Sequence, residues 1–171
     1  PRMILLPAEL RISKSLGKAL RDRRFEIRLD GAFEAVVRAC ARTPRGGQEG
    51  TWITDEMIEA YLQLFELGCA HCAEAWSGGE LVGGLYGVSL GGCFFGESMF
   101  ATCADASKVA FATLVAQLAR WDFDLIDCQI HTDHLARFGA TEWPRSRFLS
   151  VLEKSLAKVT RRGRWQLDSE R

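Results

Sequence analysis

The chain has 171 residues, of which 47% are hydrophobic, and its 22 Lys and Arg are balanced by 22 Asp and Glu. This length predicts one domain, or one large domain with a fragment of another, with enough apolar residues for a buried core. No apolar run reaches the roughly 18 residues of a membrane-spanning helix, which argues against a membrane partner. No signal peptide is visible, and because the chain starts at Pro1 rather than Met we expect a segment to precede it.

The charge is unevenly distributed along the chain. Residues 1–30 hold eight Lys or Arg against four Asp or Glu, whereas residues 46–107 hold nine Asp or Glu and no Lys or Arg. This asymmetry suggests partners of opposite sign at different places on the molecule. An ordinary solvated surface would produce the same pattern, so charge alone does not decide between the two.

The six cysteines are scattered, and four of them lie in apolar surroundings. Such a distribution suits reduced, buried thiols and predicts a cytoplasmic protein. The segment Cys69-Ala70-His71-Cys72 has the one metal-like spacing in the chain. A zinc site needs further ligands, and the chain has no second pair of cysteines at this spacing, so we predict no metal.

Residues 1–24 are predicted to form a basic entry segment. It begins as an extended stretch and continues as a helix over 13–21, with Ser13 as a plausible N-cap. Such a cationic helix face can neutralise phosphates without reading a base sequence, although a solvated face is the simpler interpretation. The basic residues of this face and of the segment after it are Lys14, Lys18, Arg21 and Arg24.

Residues 25–158 are predicted to form the main domain. It begins with a short strand at 25–29, after which Asp30 is expected to cap a helix, and Thr54 is expected to cap another. Residues 43–50 contain Pro and Gly and are predicted to form a loop. The buried helix faces follow from helical spacing, and they comprise Phe33, Val36, Val37 and Cys40 in the first helix and Met57, Ile58, Tyr61, Leu62 and Phe65 in the second.

The centre of the domain reads as strand, turn, strand, helix, strand over 81–129. Because alternate residues of a strand share a face, we expect Phe95, Glu97 and Met99 to lie together. Asp127 and Gln129 should likewise share a face of the last strand. One polar residue on an apolar strand is commonly tolerated, but three on neighbouring elements predict a site.

The chain ends with further helical segments and a polar tail. We predict a short helix at 134–138 and a final helix that begins after Pro144. Residues 159–171 are polar and are expected to fray. The final helix is predicted to bury Phe148, Leu149, Leu152 and Leu156. Strands mixed with helices, and a late strand after a helix, indicate the α+β class.

Several motifs in this order resemble the leucyl/phenylalanyl-tRNA–protein transferases. The resemblance covers most of residues 1–156. It implies an acetyltransferase-like (GNAT-like) fold with a mainly antiparallel central sheet flanked by helices. It also implies that a tryptophan-rich stretch and a small N-terminal domain would precede Pro1. The matching segments are Thr51–Thr54, Gly83–Gly87, Gly96–Phe100 and Ile126–Gln129, followed by His134-Leu135, Gly139-Ala140, Pro144-Arg145 and Phe148.

The resemblance implies an activity and its partners. Family members move Leu, Phe or Met from an aminoacyl-tRNA to a protein that begins with Arg or Lys, which marks that protein for degradation through the N-end rule. Trp52 and Tyr61 would belong to the aminoacyl-donor site, and Glu97 to the junction of donor and acceptor. The basic cluster would contact tRNA, and Asp127 and Gln129 would form an electron relay.

Chemistry adds roles to these assignments. An aminoacyl ester is already activated, so positioning and proton removal supply most of the catalysis, and no cofactor is expected. Asp127 could hold or accept the proton, Gln129 could orient amine and carbonyl, and Glu97 could pair with a cationic acceptor. No Ser or Cys nucleophile with an adjacent base is evident. The donor side chain is expected in an apolar pocket formed by Leu85, Phe95, Met99, Phe111 and Leu114.

Two other functions stay open from the sequence. An acyl-CoA-type N-acetyltransferase would share the fold, but it needs a glycine-containing loop that cradles pyrophosphate. The corresponding residues 102–107 have no glycine and include Asp105. A non-catalytic tRNA-binding module is the second alternative, and single-turnover transfer from charged tRNA would separate it from an enzyme.

Overall fold

The structure is a computed structural model that describes residues 1–44 and 51–169. It has the α+β organisation predicted from the sequence, with one mixed sheet of seven strands flanked by helices. The strands are β1 (Arg2–Leu5), β2 (Glu26–Leu29), β3 (Ala70–Ser77), β4 (Glu80–Leu90), β5 (Cys93–Ala101), β6 (Leu125–Gln129) and β7 (Thr141–Trp143). The helices are α1 (Lys14–Arg21), α2 (Phe33–Arg42), α3 (Asp55–Glu66), α4 (Ala106–Arg120), α5 (Asp133–Arg137) and α6 (Arg145–Leu156).

The sheet is mainly antiparallel, in the order β2-β3-β4-β5-β6-β1-β7. Strands β5 and β6 are parallel, and α4 connects them, because two parallel neighbours need a long crossover connection such as a helix. The entry segment contributes to this sheet, because β1 lies between β6 and β7 and pairs Ile4 with Asp127. The sequence predicted an extended stretch there but no strand, and it missed β7. Residues 1–24 are therefore built into the same sheet as the main domain.

Hydrophobic clusters lie on both faces of the sheet. One cluster lies under α1 and α4 and includes Leu85, Phe94 and Leu114, whereas a second lies under α2 and α3. The predicted buried faces of α2 and the cap of α3 are confirmed, since Thr54 Oγ1 accepts a hydrogen bond from Met57 N at 3.3 Å. The prediction for α6 is partly wrong, because Leu149 and Leu156 are exposed.

A β-bulge in β5 overturns the expected alternation along that strand. Tyr86 of β4 pairs with Ser98 and Gly87 pairs with Gly96, so Glu97 has no partner across the ladder. A bulge shifts the alternation by one residue and re-aims the side chains beyond it. The prediction that Phe95, Glu97 and Met99 share a face is therefore wrong. Met99 packs on the cluster under α4, while Phe95 packs on a separate cluster that includes Ile4, Trp143 and Phe148.

Two glycines of β4 are required by close approach of neighbouring atoms. A Cβ at position 83 would lie 2.6 Å from the Ala106 Cβ at the start of α4. A Cβ at position 87 would lie 2.6 Å from the Phe94 ring. Neither distance is compatible with a side chain, so these glycines let α4 and β5 approach β4 closely.

The C-terminal tail was predicted to fray over residues 159–171. In the structure, which describes the tail up to residue 169, it is instead anchored in the core. Trp165 is 2% exposed and stacks on the His71 ring at 3.6 Å. Its backbone N donates to Asp30 Oδ2 at 2.7 Å, and Gln117 exchanges two hydrogen bonds with Asp168 farther along the tail. Residues 170 and 171, like residues 45–50 of the predicted loop, lie outside the described part of the chain.

Asp30 has a different role from the one predicted. The helix α2 begins after Ala32 with no side-chain cap. The Asp30 carboxylate instead accepts from Cys72 N at 2.9 Å and lies 2.7 Å from His71 Nδ1. His71 Nε2 faces Gly68 O at 3.1 Å, so both ring nitrogens are occupied by protein groups.

The described residues contain no group of His, Cys, Asp or Glu arranged to hold a metal ion. No helix in the described part of the chain combines the length and the apolar character of a membrane span.

Candidate active site

A cavity of about 500 Å³ opens between β4, β5, α4 and the end of β6. Much of its wall is apolar and comes from Leu85, Met99, Phe111, Ile126 and Leu135. Trp52 and Ile130 also line it, and these side chains are 38% and 73% exposed. Exposed apolar side chains beside an apolar cavity are typical of a site that takes an apolar ligand.

The structure brings together most of the residues predicted for the donor pocket. Leu85, Met99, Phe111 and Trp52 line the cavity. Tyr61 does not line it, although its hydroxyl donates to Glu97 on the cavity wall. Phe95 does not, because the bulge places its side chain in the cluster with Trp143 and Phe148. Leu114 is fully buried in the core under α4, one turn farther along that helix than Phe111, and does not line the cavity.

Glu97 lies at the bulge and on the cavity wall. Its Oε2 accepts from Tyr61 Oη at 3.0 Å and from Gln129 Nε2 at 3.3 Å. Burial, together with the negative charge of Glu97, raises the pKa of Tyr61, so the phenol stays protonated and acts as a donor. Among the residues that the structure describes, no Lys or Arg forms an ion pair with this half-buried carboxylate, which leaves it open to a cation from a ligand.

Gln129 lies at the end of β6 in the left-handed backbone region, with φ of 67°. Its backbone N donates to Asp127 Oδ1 at 2.8 Å, and its Nε2 donates to Gly96 O at 2.7 Å as well as to Glu97. This conformation is unfavourable for a residue with a side chain, so it persists because these contacts impose it. Since both neighbours of Nε2 are acceptors, the amide orientation is defined, and Oε1 is left to accept from a ligand.

Asp127 lies behind this wall and does not line the cavity. It is 0% exposed, and its Oδ2 pairs with the guanidinium of Arg2, which also lies 5.6 Å from the centre of the Phe148 ring. The prediction that Asp127 and Gln129 share a face is wrong, because Gln129 lines the cavity beside Cys128 whereas Asp127 does not. The ion pair with Arg2 was not foreseen either. Because Asp127 does not line the cavity, its carboxylate has no direct contact with a substrate held there.

Cys128 and His134 are further titratable groups of the wall. Burial, with a contribution from the charge of Asp127, raises the pKa of Cys128 to about 12, so this thiol is not a nucleophile near neutral pH. His134 lines the cavity from α5, and sequence reasoning gave it no role. Its Nε2 is shielded from solvent and has no hydrogen-bond partner among the described residues. The one signal for it in the sequence was its position in a matching motif.

The predicted basic cluster lies on the exposed side of α1. Lys14, Lys18 and Arg21 are all exposed, and α1 packs against α4. Arg24 follows the helix, and its Nη1 donates to Asp105 Oδ2 at 3.3 Å. Asp105 stands at the start of α4, where it also lies 3.6 Å from Lys108 Nζ. A carboxylate at this helix N-terminus opposes the binding of a pyrophosphate there.

The chain is similar to known proteins of one family. A family model described as leucyl/phenylalanyl-tRNA protein transferase matches residues 4–153. A relative of that name from Anaeromyxobacter sp. (strain Fw109-5) is 59% identical over 169 residues, covering 99% of this chain and 72% of the relative. Another from Myxococcus xanthus (strain DK1622) is 56% identical over 165 residues, covering 96% of this chain and 70% of the relative.

Among solved structures, that of L-PGS from Bacillus licheniformis aligns with a TM-score of 0.47 and 13% identity, covering 90% of this chain and 50% of that one. A similarity of this size carries no argument about fold or function. The family model and the relatives match the chain over nearly its whole length. The protein therefore belongs to the leucyl/phenylalanyl-tRNA–protein transferase family.

Proposed function

We propose that this protein transfers Leu, Phe or Met from an aminoacyl-tRNA to the N-terminal Arg or Lys of an acceptor protein. The observation that carries the proposal is the cavity itself, in which an apolar pocket meets a polar wall formed by Glu97 and Gln129. The pocket suits an apolar aminoacyl side chain, and the wall suits an amine and an ester carbonyl. Membership of the family supports the same reaction.

The donor side chain would occupy the apolar part of the cavity, against Leu85, Met99 and Phe111. An apolar pocket separates similar side chains weakly, by about 1–3 kcal/mol for each methylene. Tolerance for Leu, Phe and Met is the expected consequence. Trp52 at the exposed rim offers a flat surface on which a terminal base of the tRNA can stack.

The acceptor would be selected by Glu97. This half-buried carboxylate has hydrogen bonds from Tyr61 and Gln129 but no cationic partner in the described chain. A buried charge is costly unless it is paired, and an incoming Arg can supply two parallel hydrogen bonds. Of the acidic residues described between positions 51 and 107, Glu97 is the one that lines the cavity.

Gln129 would hold the reacting groups, and Asp127 would hold Gln129. The acceptor amine attacks the ester carbonyl carbon, the bond from that carbon to the ribose oxygen breaks, and the tRNA leaves with a ribose hydroxyl. Gln129 Oε1 can accept from the amine, which aligns its lone pair with the carbonyl. Asp127 fixes the left-handed backbone of Gln129, so we assign it a positioning role rather than that of the proton acceptor.

The exposed face of α1 would contact the tRNA backbone. Lys14, Lys18 and Arg21 are available for phosphates, whereas Arg24 is already engaged with Asp105 and would contribute less. We also propose that the fold is acetyltransferase-like, as the mainly antiparallel sheet and the strand–helix–strand unit β5-α4-β6 suggest. Because aminoacyl-tRNAs are made in the cytoplasm, the reaction would take place there and feed the N-end-rule pathway.

Single-turnover transfer tests the proposal. The protein is mixed with labelled Phe-tRNA and a peptide that begins with Arg, and the label in the peptide is followed over time. The expected result is label at the peptide N-terminus, with strong loss in Gln129→Ala. Binding of tRNA without transfer would contradict the proposal and favour a tRNA-binding module. Acetylation of the peptide from acetyl-CoA, without transfer from Phe-tRNA, would favour an acetyltransferase.

A further inference from the structure

An ion pair lies on the face of the sheet opposite the cavity. Ile126 and Cys128 line the cavity, so Asp127 between them points to the other face. Asp127 is 0% exposed, and its Oδ2 accepts a hydrogen bond from Arg2 Nη2. The guanidinium of Arg2 also lies near the Phe148 ring, on the same face. The ion pair therefore belongs to the back of the sheet and has no contact with the cavity.

The two oxygens of the Asp127 carboxylate have different partners. Oδ2 holds Arg2, while Oδ1 accepts from the backbone N of Gln129 at 2.8 Å. An interior carboxylate that loses its cation is costly to keep charged. It would turn toward other donors or take up a proton, and either change weakens the bond at Oδ1. Arg2 thus fixes the orientation of the carboxylate that holds Gln129.

The bond to Oδ1 matters because the backbone of Gln129 is in the left-handed region, with φ of 67°. Such a conformation persists when surrounding contacts impose it. The side chain that this backbone carries donates from Nε2 to Gly96 O at 2.7 Å and to Glu97 Oε2 at 3.3 Å. A relaxed backbone would displace Nε2 together with Oε1, the atom that would accept from the acceptor amine. Contacts behind the sheet therefore reach the reacting groups.

Strand β1 brings Arg2 to this place. In the ladder between β1 and β6, Met3 pairs with Gln129 and Ile4 pairs with Asp127, and the register shifts between these two pairs. A shift of register disrupts the backbone hydrogen bonds of a ladder locally. The end of β6 is therefore held less firmly by its neighbour at Gln129 than a regular ladder would hold it. The side chain of Arg2 supplies a constraint at the same point.

We propose that Arg2 is a positioning residue for the transfer and acts on Gln129 through Asp127, a proposal that rests on the proposed function. Arg2 does not line the cavity and touches no substrate held there. Its loss should lower the rate at which bound substrates react. Binding should change little, because the apolar pocket and the exposed face of α1 keep their side chains.

The test is single-turnover transfer from Phe-tRNA to an Arg-initiated peptide by wild type, Arg2→Met, Gln129→Ala and the double variant. Arg2→Met keeps an unbranched side chain and removes the guanidinium. It should slow transfer at saturating substrate by about 10- to 10²-fold, the range that a misplacement of about 1 Å can cost, with little change in KM. In the Gln129→Ala background the same substitution should change the slow residual rate by about 2-fold at most, because nothing is left to position.

Hydrogen exchange at the backbone amide of Gln129 is a second readout that needs no substrate. This amide donates to Asp127 Oδ1, and in Arg2→Met it should exchange at least about 10-fold faster, the usual effect of losing a hydrogen bond to a charged group. The amide of Leu85, in the middle of the sheet, should keep its protection. Because the side chain of Arg2 is 36% exposed, added guanidinium can reach the emptied place and should restore part of the rate, whereas sodium at equal ionic strength should not.

Arg147→Met is the matched control, because Arg147 is exposed on α6 and lies over the Trp143 ring, at 3.8 Å, rather than on Asp127. It should keep both the wild-type rate and the exchange of the Gln129 amide. If Arg2→Met does not fold, Arg2→Lys replaces it in the same four-protein comparison, with a smaller loss expected since a cation remains near Asp127.

Three results would overturn the assignment to Arg2. The first is a transfer rate in the Arg2 variant within about 2-fold of wild type, which would mean that Gln129 keeps its place without the ion pair. The second is an equal loss in the wild-type and Gln129→Ala backgrounds, as a purely structural role would produce. The third is a loss confined to KM. Absence of transfer by the wild-type protein, with faster exchange of the Gln129 amide in the Arg2 variant, would instead be a failure of the proposed function.

Discussion

Two regions of this molecule contain the same kinds of polar groups but leave them in different states. In the tail anchor, formed by Asp30, His71 and Trp165, both nitrogens of the histidine face oxygen acceptors, and the carboxylate receives backbone donors from Cys72 and Trp165. In the cavity wall, formed by Glu97, Gln129 and His134, the His134 Nε2 has no partner in the described chain and the carboxylate has no paired cation.

The difference separates stabilising groups from groups available to a ligand. Polar groups that are buried and fully paired hold distant segments together and leave nothing for a ligand. Polar groups that are shielded but incompletely paired are costly in the empty protein, and a ligand that completes them recovers that cost. The tail anchor should therefore control stability, whereas the cavity wall should control transfer.

The largest expected effect is on stability and comes from Trp165→Ala. This change removes an indole that is 2% exposed and stacked on His71, so the free energy of unfolding should fall by about 3–5 kcal/mol. Denaturant unfolding measures it. The transfer rate of the folded fraction should stay near wild type. Trp52→Ala, at the cavity rim, is the matched control, and it should slow transfer while changing stability little. A large loss of stability in Trp52→Ala, together with slow transfer by folded Trp165→Ala, would contradict the comparison.

The next effect is on catalysis and comes from Asp127→Ala. Without Asp127 Oδ1 the backbone of Gln129 can leave its left-handed conformation, and a misplacement of about 1 Å can cost about 10²-fold in rate. Single-turnover transfer at saturating substrate measures this loss. Asp124→Ala removes a nearby carboxylate whose partner is Lys158, and it should leave the rate unchanged. Equal effects from the two variants would mean that Asp127 acts only through stability.

A smaller effect is expected on tRNA affinity. Replacing Lys14, Lys18 and Arg21 with Ala should weaken all tRNAs about equally and flatten the salt dependence. Each lost phosphate contact lowers the log–log slope by about 0.7–0.9. The control removes Arg145 and Lys154, which are exposed on α6. An unaltered slope in the α1 variant would mean that this face is merely solvated.

Local patterns in the sequence predicted most of the helices and strands. The features that these patterns missed are set by contacts between segments that are far apart in the chain. Helical spacing identified the buried face of α2, and a threonine followed by acidic residues identified the start of α3. The position of Phe95 depended on a bulge, which is defined by pairing with β4 and has no signature in β5 alone. Alternation along an isolated strand cannot reveal it.

The tail anchor and the ion pair of Asp127 were missed for the same reason. Trp165 donates to Asp30 across 135 residues, and Arg2 pairs with Asp127 across 125. A polar tail and an extended entry segment look like surface until their partners are known. The site was more predictable than these contacts, since Glu97 and Gln129 stood out as polar residues on apolar strands. His134 lies on a short helix where no such contrast exists.

The measurement that tests the central claim most directly is the acceptor preference of Glu97→Gln. This substitution keeps the shape and much of the hydrogen bonding of Glu97 while removing its charge. We expect transfer to peptides that begin with Arg or Lys to fall by about 10-fold or more, the usual worth of a hydrogen bond to a charged group, while transfer to a peptide with an uncharged, leucine-like N-terminus changes little. Equal loss for both kinds of acceptor would contradict selection by Glu97, and so would no loss for either.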